Sequence, residues 1–313
     1  MILFDDRDYE PVITQAQWNT SRNDGAGTLT VTFPAGSASL PQPGQQVVFS
    51  RGGEGIFWGW VFRSQQDRKN AEVLCCDQLR YLKNSDTIYR PAETLDRFLN
   101  RVCAAAGDRI RLGTVEQCQT PLSPYLFDNR TRLDMLYQSI REIRQATGLV
   151  YILRDSFGAL ELREVGSLLL PLTLGDGSLV TGYRYSGDLD ATANQVRVLQ
   201  SSASAGIIQS AWAEDTASVA RFGPLTLVEK ADRGMTLPQM QQQAMQLLQA
   251  RRGLRRTLRL EAVGETQVRA GSSVRVVIGE LELDTWALVL SASHTFNTQG
   301  HRMTLELEWR EEP

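Results

Sequence analysis

The sequence predicts a β-rich α+β protein in which two β-barrel regions flank a small α+β unit. Short runs of alternating apolar and polar residues, punctuated by glycine and proline, fill both ends of the 313-residue chain. Two amphipathic helical stretches and a hairpin interrupt these runs between residues 89 and 165. A motif near the beginning of the chain also returns near its end.

In the first region, residues 1–88, LTVTF (29–33) places Leu29, Val31 and Phe33 on one face, with Gly25 and Gly27 before it and Pro34 after it. PGQQVVFSRGGEGIFWGWVF (43–62) reads as two strands joined by a glycine turn. On the second of these, Ile56, Trp58, Trp60 and Phe62 share one face while Phe57, Gly59 and Val61 share the other. Apolar residues on both faces require a strand covered on both sides, by the chain itself or by a partner. EVLCCD (72–77) is a further strand that runs into a short helical turn, DQLRYLKNS.

Residues 89–165 change character. Leu95, Phe98, Leu99 and Val102 recur at helical spacing and Gly107 stops the run. Leu133, Leu136, Tyr137, Ile140 and Ile143 repeat the pattern up to Gly148, and LVYILRDSFGALELREV then reads as a hairpin turning at residues 155–158. The third region, residues 166–313, returns to strands with one inserted helix near 236–252. That helix opens on a capping box, Thr236 and Gln239, with Pro238 in its first turn. In its last strand Met303, Leu305, Leu307 and Trp309 alternate with polar residues, giving one dry and one wet face.

The echo is P-G-Q-Q-V-V-F (43–49) against A-G-S-S-V-R-V (270–276), each followed by a glycine turn and a tryptophan-bearing strand. Gly44 and Gly271, like Val47 and Val274, are 227 residues apart, which carries Trp286 back to position 59. Either the two ends are related by duplication, as two similar barrels, or both use a common hairpin grammar.

Composition narrows the function. With 33 basic and 36 acidic side chains the net charge is −3, which excludes nucleic-acid binding by bulk charge. Four cysteines, none spaced C-x-x-C, and two histidines argue against a zinc ribbon or redox motif. The start of the chain lacks the pattern of a secretory signal, and no apolar run is long enough to span a bilayer. These features predict a soluble protein of a reducing compartment.

The chemistry-bearing residues are sparse. His294 and His301 flank a turn and, with Asp284 or Glu280, compose either a metal set or a pair of structural histidines; His294 lies in phase with Trp286, Leu288 and Leu290, where a hydrogen-bonded structural role is usual. Asp5, Asp6, Asp8 and Glu10 read as a solvated or partner-facing end, or as a cation site. Neither GDGS (175–178) nor GGEG (52–55) has phosphate-loop spacing, so both read as turns. Cys75 and Cys76 are small core residues on opposite faces of a strand. The glutamine-rich helix either binds another helix in a groove or is a packed amphipathic helix, and Phe57, Trp58 and Trp60 form a sugar-stacking platform, a core or an interface. No catalytic residue, cofactor or metal site is predicted, and the expectation is a non-enzymatic protein.

The order of features, G-Q-Q-V-V-F, a glycine loop, G-I-F-W-G-W-V, V-L-C-C-D-Q-L-R-Y-L-K-N-S, then two helices with a D-x-x-G hairpin, and finally S-A-S-H-T-F-N-T-Q-G-H-R-M-T-L-E-L, resembles the XkdQ/YqbQ-type baseplate hub proteins of contractile phage tails and related tailocins. Two departures are the Cys75-Cys76 pair, where the family commonly has a small and an aromatic residue, and a loose match over 166–235. The resemblance implies two tail-tube-like barrels per chain and a homotrimer, so that three chains present six similar units. It further implies a tail tube protein, a central spike protein and other baseplate proteins as partners, in a phage or tailocin particle assembled in the bacterial cytoplasm. Trp58, Trp60, Trp286 and Trp309 are the interface candidates. The alternatives are a tail-tip cell-wall hydrolase and a carbohydrate-binding β-module.

Overall fold

Period-two patterning does become strand at both ends of the chain, and ten of the strands carry the repeat. Numbered in chain order they are β1 (Gln15–Ser21), β2 (Thr28–Pro34), β3 (Gln46–Arg51), β4 (Glu54–Gln66) and β5 (Asn70–Cys76), then β6 (Val180–Asp188), β7 (Leu254–Val263), β8 (Ser273–Ile278), β9 (Leu283–Asn297) and β10 (Gly300–Glu311). The computed structural model describes residues 1–202, 206–231 and 234–311. It divides into one unit of Met1–Ile143, Leu149–Arg184 and Arg259–Leu307, and a second of Arg144–Gly148, Tyr185–Leu258 and Glu308–Pro313.

The first five strands lie in the order β1-β2-β5-β4-β3, and the last five in the same order, β6-β7-β10-β9-β8. The likeness extends to single hydrogen bonds. Gly44 N–H donates to the Val61 carbonyl at 2.8 Å and Val61 N–H to Gln45 at 2.9 Å; Gly271 donates to Val289 at 2.8 Å and Val289 to Ser272 at 2.9 Å. Both glycines have positive φ, +94° and +87°, which an L side chain rarely adopts. The Thr14 hydroxyl donates to the Thr32 carbonyl at 3.0 Å, and the Thr181 hydroxyl to that of Glu261 at 3.1 Å.

One detail of the expected echo is corrected. Trp286 pairs with Arg275 as Trp58 pairs with Val48, so Trp286 corresponds to Trp58 and not to position 59. The first hairpin turns through Gly52 and Gly53 and carries a bulge in β4, whereas the second turns through 279–282 without one. The longer turn and the missing bulge together shift the frame by one residue.

The two repeats are joined edge to edge. The first part of β9, Leu283–Leu288, pairs with β8, and its second part, Ser291–Asn297, pairs antiparallel with β1. Leu29, Val31, Phe33, Val47, Phe49 and Val73 form a core on the first repeat, and Phe296 of β9 enters that same core.

Between the repeats, α1 (Leu95–Ala106) and α2 (Arg132–Thr147) end before Gly107 and Gly148. Their apolar faces, including Leu95, Phe98, Leu99, Leu136 and Ile140, bury with Leu153 and Leu160 of the hairpin formed by Tyr151–Ser156 and Ala159–Glu164. Each such side chain contributes roughly 1.5–3 kcal/mol when fully buried. In the second unit α3 (Leu237–Arg251) begins at the Thr236–Gln239 capping box. Its buried Met240, Ala244 and Leu247 pack with Val196, Val198 and Ala211 of a three-stranded sheet, so this helix covers its own sheet.

Candidate interface

The tryptophans singled out by the sequence occupy different environments. On β4, Trp58 and Trp60 meet edge to face with centroids 4.6 Å apart, and Trp60 meets Tyr81 in the same way at 5.0 Å. Tyr81 stands on the short 3-10 helix Gln78–Lys83, which Asp77 caps by accepting from Leu79 N–H. The Arg109 guanidinium lies 4.9 Å from the Trp60 ring and that of Arg111 lies 5.1 Å from Trp58. The second apolar face of β4 is therefore covered by the chain itself, and Trp60 is 3% exposed. Trp286 is 49% exposed. In the second unit Trp309 packs against Tyr185 with centroids 6.1 Å apart. Within the first unit, Trp286 holds in the second repeat the position that Trp58 holds in the first.

The two histidines do meet, but as a hydrogen-bonded pair. His294, fully buried and stacked on Trp18 at 5.0 Å, has Nε2 2.8 Å from the Val268 carbonyl and Nδ1 3.0 Å from Nε2 of His301. A carbonyl only accepts, so His294 Nε2 carries the proton and its Nδ1 accepts from His301. Burial first, and then for His301 the neighbouring His294 and Arg51, pushes both down to about 4, so the pair is neutral at pH 7. Asp284 is held bidentately by Arg275, and Glu280 accepts from the Tyr183 hydroxyl. No group of three metal-ligating side chains converges among the described residues.

At the acidic N-terminus, Asp5 accepts from Gln46 N–H, Asp8 from Glu10 N–H, and Glu10 lies 3.0 Å from the terminal amine. These carboxylates fold the local chain rather than converge. Cys75 and Cys76 are both buried, and burial raises their thiols, that of Cys76 to about 11, which leaves both unreactive.

Sequence reasoning missed a buried polar network. Asp77 accepts from Gly27 and Leu79 N–H, Asp155 accepts from Gln78 and Gly158, and Arg269 donates to the Asp155 carbonyl at 3.1 Å. Burial raises both carboxyls, that of Asp155 to about 6, and their mutual repulsion adds to the rise at Asp77. They border a cavity of about 30 Å³ with Trp18, Phe57 and Ala270. A cavity of that size holds a water and has no room for a sugar ring. The D-x-L turn and the D-x-x-G hairpin marked both positions, but nothing in the spacing brings residues 77 and 155 together.

Comparison with known proteins adds the family. The family model described as YQBQ-like matches residues 16–308. The chain belongs to the YQBQ-like family. Within reach of that family, the XkdQ protein of the phage-like element PBSX from Bacillus subtilis is 26% identical over 267 residues, covering 84% of this chain and 81% of that one. Among solved structures, the 43 kDa tail protein of prophage MuSo2 from Shewanella oneidensis is similar with a TM-score of 0.75 at 15% identity, covering 98% of this chain and 97% of that one. The c3393 protein of E. coli, a type VI secretion component with structural similarity to T4 tail proteins gp27 and gp5, is similar with a TM-score of 0.58 at 11% identity, covering 100% and 79%. XkdQ is a protein of a phage-like element and the Shewanella oneidensis protein a prophage tail protein, and the likeness of this family member to the solved structures is one of fold.

Proposed function

We propose that this chain is a structural hub of a contractile tail or related injection particle, acting as a homotrimeric ring that adapts a hexameric tail tube to a trimeric central spike. The observation that carries the reading is the duplicated strand order, β1-β2-β5-β4-β3 and β6-β7-β10-β9-β8, with its matched glycine and threonine hydrogen bonds. Two like units per chain turn three chains into six positions, which is what a three-to-six adaptor needs. In this reading residues 1–88 and 166–313 supply tube-like barrels, residues 89–165 lie between them, and exposed Trp286 contributes to a contact with a neighbour. The work is mechanical rather than catalytic, and the particle is the place of action.

The reading is supported by the family, whose relative is a phage-element protein. Light scattering on the chain assembled with tube and spike proteins should give a hub mass three times 34.9 kDa. A chain that stays monomeric in that assembly overturns the proposal.

A further inference from the structure

The junction between the two repeats occurs once within the chain, while the edges that would make it a second time are left open. β1 docks on the second part of β9, beyond the segment of β9 that pairs with β8. By the correspondence of the repeats, β6 stands where β1 stands, and the second part of β4, beyond Val61, stands where the second part of β9 stands. Among the described residues, that part of β4 pairs with β5 on one side and with no strand on the other, and β6 pairs only with β7. Each repeat thus presents one half of a junction already seen complete.

We infer that β6 of one copy adds antiparallel to the second part of β4 in the next copy, so that the same edge-to-edge junction alternates within and between chains around the ring. This deepens the hub reading and rests on it. The register follows from the structure. Thr14 and Thr181 fix the step from β1 to β6, and Val289 and Val61 fix the step from β9 back to β4. The observed pairs Ser291 with Ser21, Ser293 with Asn19, and Thr295 with Gln17 then become Arg63 with Asp188, Gln65 with Ser186, and Asp67 with Arg184.

One of those three derived pairs, Arg63 with Asp188, joins opposite charges directly across the strands; a second sets Arg184 opposite Asp67, the residue just past β4 whose carboxylate accepts from Lys69 and Asn70 N–H; and none joins like charges. Opposite charges facing each other stabilise a strand pair, and like charges oppose it. Arg63, Asp67 and Arg184 are exposed, and Arg63 reaches only as far as Glu72 on its own sheet, at 3.8 Å. Charges on an open edge also serve simply to prevent strand addition, and the register separates these roles. Protective charges have no reason to be opposite in sign across two edges about 120 residues apart in sequence.

The junction is head to tail, because the β4 edge meets the β6 edge and never itself, and such a contact closes into a ring when its rotation permits. Leu290 accepts from Arg22 N–H, so Ser293 and Asn19 form a pair without mutual backbone bonds, the kind with the closer Cα atoms. Gln65 and Ser186 inherit that geometry, which suits a disulfide. The native cysteines are buried and do not compete.

The test uses the full chain assembled with its tube and spike proteins under mild oxidation. A Gln65→Cys chain mixed with a Ser186→Cys chain should give a mixed disulfide dimer, neither variant alone should cross-link, and a chain carrying both should close into a covalent trimer. Arg184→Glu should lower the cross-linking yield roughly fivefold, and Arg184→Lys should retain it. A trimer by mass in which Gln65→Cys and Ser186→Cys do not cross-link overturns the inference and leaves the hub reading standing. Cross-linking of either variant with itself also overturns the head-to-tail junction. A chain that never trimerises overturns both.

Discussion

Two buried groups, His294 on β9 and Asp155 on the central hairpin, should pull the acid stability of this protein in opposite directions. His294 is pushed from 6.5 to about 4, so the fold requires it neutral while the unfolded chain gains a proton below 6.5. Its contribution is complete above pH 6.5 and is lost as the pH falls toward 4. Asp155 is raised from 3.8 to about 6, so the fold gains a proton before the unfolded chain does. Its contribution is complete below pH 3.8 and is lost as the pH rises through 6. Between pH 7.5 and 5, linkage makes the His294 loss about 2 kcal/mol and the Asp155 gain about 1 kcal/mol. His301, pushed from 6.5 to about 4 beside His294, adds a further loss in the same direction, so the intact chain should lose stability on acidification. Between pH 7.5 and 5, His294→Gln should lose about 2 kcal/mol less than the intact chain, and Asp155→Asn should lose about 1 kcal/mol more. Urea unfolding at several pH values, compared by midpoint at constant slope, reads these differences directly. Parallel pH profiles for the intact chain and both variants would refute the reasoning, whatever their stabilities at pH 7.5.

Other expectations follow from packing. Arg90 is fully buried, bonded to Ser139, to the Ser123 carbonyl and to Glu142, so Glu142→Ala should cost about 3 kcal/mol in urea unfolding by leaving the guanidinium unpaired. Gly44→Ala and Gly271→Ala both impose a side chain at positive φ, at about 1–2 kcal/mol. A Cβ on Gly44 meets nothing within 4 Å, whereas one on Gly271 strikes the buried Ile152, so thermal melting should show the second variant to be clearly less stable. Trp60→Ala should cost about 3–5 kcal/mol by opening a cavity beneath Tyr81 and Arg109. Trp286→Ala should cost less than about 1 kcal/mol in the isolated chain and show its effect on assembly mass.

Strand and helix types were legible because each depends on neighbours in sequence. Leu29, Val31 and Phe33 alternate and are buried on one face; Leu95, Phe98, Leu99 and Val102 recur at helical spacing and are buried together. The Thr236 capping box and the Gly52-Gly53 turn are local chemistry of the same kind. The candidate interface was less legible. Apolar residues on both faces of β4 require a cover, but their pattern is the same whether the cover is a partner or the 3-10 helix bearing Tyr81. Only the fold shows Trp60 beneath Tyr81 and Arg109, and Trp286 exposed.

The sequence by itself determined which segments alternate, which coil, and that a G-x-x-V strand returns late in the chain, because such patterns are set by backbone period and turn chemistry. The tertiary structure decided what those segments meet. It made the echo a shared strand order, moved the match of Trp286 to Trp58 through a longer turn and a missing bulge, and turned His294 and His301 into a neutral pair. It also brought Asp77 to Asp155 and, among the described residues, left one edge of β4 beyond Val61 and one edge of β6 without a strand partner, since proximity between residues far apart in sequence is a property of the folded sheet alone.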